Sequence, residues 1–357
     1  MGNEMKAKQR KDLDPIRVYW TALSLMMLLG IVSSSFYLRG NFNFIVGNLV
    51  RDISYARYRI EFAKSEGNGV TGLFTSEPTK ICMESNAKAV PVLLYHGITD
   101  RPDGENLPLS SFKEQMLMLK RAGYQTVTLE EFNEFVNGER DLPDKSFLIT
   151  FDDGRRDSYY YADPVLRALD YNAVMFVITG GGYGGEFYLS ERELKQMADS
   201  GRWKLESHGA VAHFGIPIDG QGTKGIFYSN KMWVEGEGRL ETNGEFKNRI
   251  EEDLSLSKAK IEETSNASVI GLAFPYGDYG QRASNYPEVQ DVLLQAVSSH
   301  YGLVFYQYSE KGDFYNYPNQ GTFMIKRVKI EPSWSTEDLK RIFSIDTSLS
   351  DIQRVCD

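Results

Sequence analysis

Four histidines and one pair of adjacent acids are the residues of this chain best suited to chemistry. Asp152 and Asp153 follow Phe147-Leu-Ile-Thr-Phe151, which reads as a buried strand, and Gly154 comes straight after them. A strand alternates its side chains between two faces, so consecutive acids at its end share one site only where the chain turns. Gly154 permits that turn. A pair held this way can divide its labour, with one carboxylate on a metal ion and the other free to move protons. The same residues are also ordinary turn chemistry where a chain leaves a strand.

His208 and His213 stand five residues apart in Ser207-His-Gly-Ala-Val-Ala-His213. A strand end followed by a loop or helical turn can bring both onto one ion. With Asp153 they would make a two-histidine, one-carboxylate set that leaves positions open for water and substrate. The plainer reading is one core histidine and one surface histidine. The neighbouring sequence tilts the balance. Val90–Tyr95 reads as a buried strand delivering His96, and Val269–Phe274 as another delivering Pro275-Tyr276-Gly277. The candidate residues thus fall at the C-terminal ends of strands.

The elements between them alternate. Ser111-Phe-Lys-Glu114 reads as a capping box opening a helix that stops at Gly123. A strand over 125–129, a helix over 129–137 and a helix starting at 164–168 are expected, with strands over 173–178 and 203–206. Ser190-Glu-Arg-Glu193 reads as a second capping box, for a helix ending at Gly201. Helices over 250–264 and 289–297 and a strand over 303–306 follow. Such alternation implies a parallel sheet, open or closed into a barrel, whose function gathers at the C-terminal strand ends. Residues 214–245, rich in Gly, Asn and aromatics, break the pattern and read as an insertion, a hairpin beside the site.

The N-terminus stands apart. Val18 to Leu38 is a run of 21 residues without charge, long enough to span about 30 Å of hydrocarbon. Tyr19, Trp20 and Tyr37 lie near its ends, and Lys6, Lys8, Arg10, Lys11 and Arg17 precede it. That pattern predicts a single-pass anchor with a cytoplasmic N-terminus and an extracytoplasmic domain. A cleaved signal peptide ending near Ser33-Ser34-Ser35 is the rival and a buried core helix the third option. The implied order is a tail (1–17), an anchor (18–38), a stem with a short amphipathic helix (39–89), a main domain (90–345) and a C-terminal tail (346–357). Beyond residue 40 the chain holds 34 basic and 46 acidic residues, a poor match to nucleic acid or anionic lipid. Its 21 Tyr and 20 Phe would serve a core, and some could line a groove for sugar rings. Cys82 and Cys356, the only cysteines, can pair in an oxidising compartment or stay as unrelated thiols.

On these motifs the chain resembles the polysaccharide deacetylases, the carbohydrate esterases that share the NodB homology domain. Thr150-Phe-Asp-Asp-Gly154 resembles the first family motif, and Ser207-His208 to His213 the second. Phe274-Pro-Tyr-Gly277 and Leu94-Tyr-His-Gly-Ile98 resemble the branch that deacetylates poly-N-acetylglucosamine in biofilm matrices. The resemblance covers roughly residues 90–345. It implies a distorted (β/α)7-type barrel and a divalent metal, usually Zn²⁺ with Co²⁺ or Ni²⁺ as alternatives. It implies Asp153, His208 and His213 as metal ligands, Asp152 as general base, His96 as general acid and the Tyr276 N–H as an oxyanion donor. The substrate implied is an N-acetylhexosamine polymer outside the cell, with a polysaccharide synthase or export machinery as partner.

Three departures stand out. Gly209 replaces the Thr or Ser common after the first metal histidine. Phe274 replaces an arginine that many members place before the proline; Arg327 is expected to be a surface or structural residue, with a contact to Asp152 as the alternative. The late Leu-x-His motif has no counterpart, and His300, after a helix, is expected to be structural. Peptidoglycan or another exopolysaccharide is the alternative substrate. A metal-free glycoside hydrolase with two carboxylates, or a protein that only binds polysaccharide, are the other classes left open.

Overall fold

Seven parallel strands close on themselves in this computed structural model, which describes residues 39–42, 44–57, 60, 87–100, 103–180, 187–307 and 314–343. They are β1 (Val90–Tyr95), β2 (Ser146–Phe151), β3 (Ala173–Val177), β4 (Trp203–Ser207), β5 (Gly271–Ala273), β6 (Leu303–Gln307) and β7 (Met324–Lys329). Each pairs with the next, and β7 returns to β1 through Leu93↔Val328 and Leu94↔Lys329. One seam is thin: β4 and β5 share the single pair Leu272↔Ser207.

The strand pattern explains the closure. Two apolar clusters divide the strand residues by parity. Leu93, Tyr95, Ile149, Phe151, Met175 and Leu205 belong to one, against the helices. Val92, Leu148, Val174, Phe176, Phe305 and Ile325 belong to the other, inside the barrel. A strand buried on both faces reads as a continuous apolar run, which is why most of these were legible in the sequence. Strand β7 was not, because Met-Ile-Lys-Arg-Val-Lys carries three charges among its six residues.

Seven helices flank or follow the strands: α1 (Leu109–Arg121), α2 (Leu129–Val136), α3 (Arg156–Leu169), α4 (Glu191–Asp199), α5 (Asn243–Ser265), α6 (Val289–Ser298) and α7 (Thr336–Phe343). Helix α2 starts at a capping box, Thr128 with Glu131. Its Leu129, Phe132, Phe135 and Val136 join the interior cluster and close the barrel's N-terminal end. Thr128 is committed to that cap, so the strand expected over 125–129 shortens to Gln125–Thr126. The box at Ser190 forms as expected. The one at Ser111 does not: α1 begins at Leu109 behind Pro108, which puts Ser111 inside the first turn.

Pro164 was expected near a helix start, yet α3 runs through it. A proline in a helix interior costs about 3 kcal/mol. Burying Val165, Leu166 and Leu169 at about 1.5–3 kcal/mol each outweighs that cost. Residues 214–245 form two short antiparallel pairs, Ile216–Pro217 with Lys224–Gly225 and Trp233–Val234 with Arg239–Leu240. Helix α5 begins inside that stretch, at a capping box of Thr242 with Glu245.

Residues 1–49 and 50–357 are separate units. In the first, the described residues are helical, and Phe42, Ile45 and Leu49 are exposed. In the second, Arg51 is buried, 3.5 Å from Asp163 and bonded to the Tyr159 hydroxyl. The apolar run 18–38 and both cysteines lie outside the described residues. Among the described residues, no helix is long and apolar enough to cross a membrane.

Candidate active site

The C-terminal rim of the barrel gathers the candidate residues. Asp152 and Asp153 come directly after β2, His208 directly after β4, and Pro275–Gly277 forms a single 3₁₀ turn after β5. His96 follows β1, and His213 lies in a turn beyond His208. Asp153 and Gly154 both take left-handed backbone angles, φ +72° and +70°. That turn lets two consecutive carboxylates face one space. A cavity of about 700 Å³ opens there, lined by His96, Asp153, His208, His213, Tyr276 and Arg282 among others. A smaller cavity of about 240 Å³, beside Lys88, Pro91 and Tyr124, holds no histidine.

Ligand atoms of Asp153, His208 and His213 all lie within 4.8 Å of one another. Asp153 Oδ1 is 3.5 Å from His208 Nε2 and 3.3 Å from His213 Nε2. His208 is buried, and its Nδ1 donates to the Ala273 carbonyl at 2.7 Å. That bond fixes the tautomer and leaves the Nε2 lone pair facing Asp153. Burial pushes His208 down to about 4, against the pull of Asp152, so its ring is neutral at ordinary pH. Burial would raise Asp153, but hydrogen bonding from His213 and the proximity of His208 hold it well below the usual carboxylate range. A neutral imidazole, a second imidazole and an ionised carboxylate suit a divalent ion of the zinc type.

Asp152 lies deeper and is fully buried. Arg327 from β7 donates to both its oxygens, Nη1 to Oδ1 at 2.6 Å and Nη2 to Oδ2 at 2.8 Å. Arg327 is itself fully buried and lies over the Phe176 ring inside the barrel. The expectation of a surface arginine is therefore wrong, and the contact to Asp152, the alternative, is present. Parity explains it: Arg327 shares the inward face with Ile325, and the outward places in β7 go to Lys326 and Val328. Burial would raise Asp152, but the Arg327 guanidinium and then His208 keep its carboxyl below the ordinary value. Phe274, where many relatives place an arginine, is buried beside Tyr228 and Tyr279.

His96 lines the cavity, and its buried Nδ1 has no hydrogen-bond partner. Burial lowers its pKa, against the charges of Asp152 and Asp153. Tyr276 takes φ +60°, its ring lies tilted at 5.3 Å from the His213 ring, and its hydroxyl donates to the His213 carbonyl at 2.8 Å. His300 bonds Ser255 and the Ala296 carbonyl and does not line the cavity.

Two residues escaped the sequence reading. Glu206 points into the barrel one step below His208, and its Oε2 accepts from the Ile270 and Gly271 amides at 2.9 and 2.6 Å. Burial pushes this carboxyl up to about 8, against the Gly271 hydrogen bond. Asp253 on α5 accepts from the Ala210 and Val211 amides, in the loop between the two histidines. No local motif marks either acid; only the alternation of β4 could have placed Glu206 inside.

Comparison with known proteins completes the site. Residues 139–290, which hold Asp152, Asp153, His208, His213 and Tyr276, match the family described as polysaccharide deacetylase. Over those residues the chain is thus similar to the polysaccharide deacetylases, a family of hydrolases acting on N-acetyl amide bonds. The chain is 25% identical to the YxkH protein of Bacillus subtilis over 276 residues, 77% of this chain and 80% of that protein. It is 33% identical to the poly-beta-1,6-N-acetyl-D-glucosamine N-deacetylase of Staphylococcus aureus over 172 residues, 47% of this chain. That match spans about half of the staphylococcal protein, 52% of its length. Among solved structures, the deacetylase fold recurs in the de-N-acetylase of Aggregatibacter actinomycetemcomitans, with TM-score 0.58 and 20% identity over 71% of this chain and 99% of that one.

Proposed function

We propose that this deacetylase domain removes acetyl groups from N-acetylhexosamine units of an extracellular polymer of the poly-N-acetylglucosamine type. The observation that carries the reading is the Asp153, His208 and His213 set with Asp152 beside it, on the floor of an open cavity. A cavity of about 700 Å³ is of the size that holds a small-molecule group with several polar contacts. The staphylococcal relative's activity toward poly-beta-1,6-N-acetyl-D-glucosamine supports the choice of polymer.

Asp153, His208 and His213 would hold a divalent metal, with Zn²⁺ first and Co²⁺ or Ni²⁺ as alternatives. Such an ion polarises an amide carbonyl and lowers the pKa of nearby water toward ~7. Asp152, ionised through Arg327, takes the proton of the attacking water. Arg327 also fixes the plane of that carboxylate by gripping both oxygens. The amine cannot leave as an anion, and His96 delivers the proton it needs. Burial lowers the His96 pKa, which makes its ring a ready proton donor, and the proton it delivers is replaced by the one that Asp152 took from the water. The Tyr276 N–H is assigned to the developing oxyanion, on a turn tied to His213 through the tyrosine hydroxyl. Residues 18–38 would anchor the domain outside the cytoplasmic membrane, within reach of a polysaccharide synthase or export machinery.

The test is acetate release by the full-length protein from β-1,6-linked N-acetylglucosamine oligomers, with and without added Zn²⁺ or Co²⁺. Release that depends on metal, vanishes in His208→Ala and falls about 10²–10⁴-fold in Asp152→Asn is expected. Shortened chains without acetate, or full activity after chelation, would overturn the reading.

A further inference from the structure

His208 and His213 reach the site by different means. His208 directly follows a barrel strand and is pinned through the Ala273 carbonyl. His213 sits in a turn, so its place depends on the loop Gly209-Ala-Val-Ala212. That loop is held from outside the barrel. Asp253 on α5 accepts from Ala210 N at 3.0 Å and Val211 N at 2.7 Å, and the buried Tyr228 hydroxyl donates to the same carboxylate at 2.5 Å. One turn along α5, Ser257 bonds the Ser207 hydroxyl, which accepts from Gly209 N.

Gly209 shows how tightly the phenol fits. It has φ +79°, and a Cβ there would lie 2.8 Å from the Tyr228 oxygen, 2.8 Å from Ala212 Cβ and 3.0 Å from Asp253 Oδ2. A side chain at 209 and the hydroxyl of Tyr228 would compete for one space. The Tyr228 oxygen, from the 214–245 segment, thus occupies the space that a side chain at 209 would need.

We infer that Asp253 and Tyr228 are positioning residues that brace the 209–213 loop and set His213 for metal binding, and that delivering Tyr228 is a role of residues 214–245. The inference rests on Asp153, His208 and His213 holding a divalent ion. A carboxylate loaded with three donors fixes two successive amides of the loop. Partners of this kind orient metal ligands, and their loss typically weakens metal affinity about 10–100-fold.

Co²⁺ titration of the full-length protein tests this without substrate, by visible absorption and competition with a chelator. Tyr228→Phe removes one oxygen, and Asp253→Asn keeps the size of the side chain. Both are expected to weaken Co²⁺ binding about 10–100-fold and to alter the Co²⁺ spectrum, while far-ultraviolet circular dichroism stays native. Asp253→Asn should also speed hydrogen exchange at Ala210 and Val211. Variants that unfold more easily yet bind Co²⁺ like wild type, with the same spectrum, would overturn the brace and leave the metal site standing. Wild-type protein that takes up no Co²⁺ would overturn the metal site and the brace with it.

Discussion

Asp152 comes directly after β2 at the rim of the barrel, while Glu206 sits in β4, a layer deeper in the same lumen. Both are shut away from solvent. Asp152 meets a guanidinium and stays below the usual carboxylate range, whereas Glu206 meets two backbone amides and is pushed up to about 8. Burial acts alike on both, so the cation makes the difference. The rim acid is ready to accept a proton, and the lumen acid already holds one. The barrel therefore does not assign a protonation state to its interior; individual partners do.

Removing the cation should break the contrast most. In Arg327→Met, Asp152 is left as an uncompensated buried charge, a loss of about 3–5 kcal/mol. Its pKa should climb, so the acid limb of the kcat/KM profile should move to higher pH and activity near pH 6 should fall furthest. An unchanged profile in urea-checked folded protein would show that Arg327 does not set the charge of Asp152.

Glu206 gives the opposite sign. Between its ordinary value of 4.5 and about 8, the unfolded chain carries it ionised and the folded chain carries it protonated. Folding stability from this group thus falls as pH rises through that window, by on the order of a few kcal/mol. Glu206→Gln should flatten the pH dependence of urea unfolding between pH 5 and 8 relative to wild type. Equal slopes would sink the assignment. For Asp152, stability is present above the unfolded carboxylate value and lost as pH drops below it.

The smallest effect sharpens the comparison as a control. Thr242→Ala removes the cap of α5, worth about 1 kcal/mol. Its partner Glu245, paired with Arg239 and taken down to about 2, does not titrate between pH 5 and 8. The urea midpoint should shift in this variant by a constant amount across that range.

The same contrast shows what could be read from the sequence. The strand ends that present His96, Asp152, Asp153, His208 and Tyr276 were legible because apolar runs lead into them. Strand β7 and Arg327 were not, because an inward-facing arginine makes a barrel strand look like a charged surface segment. The cap at Thr242 was hidden in a stretch that broke the strand–helix alternation. Asp253 and Tyr228 were invisible for another reason: they lie 45 and 20 residues beyond His208, and only the packing of α5 against β4 brings them to it.

The thin seam between β4 and β5 is bridged by side chains as well as by main chain. Where two neighbouring strands share one register pair, the His208 side chain adds a bond of its own, from its imidazole to the Ala273 carbonyl. Glu206 adds two more, to Ile270 and Gly271. Side chains thus complete a ladder that the main chain leaves short. The same imidazole that faces the cavity is therefore also a rung of the wall between these two strands.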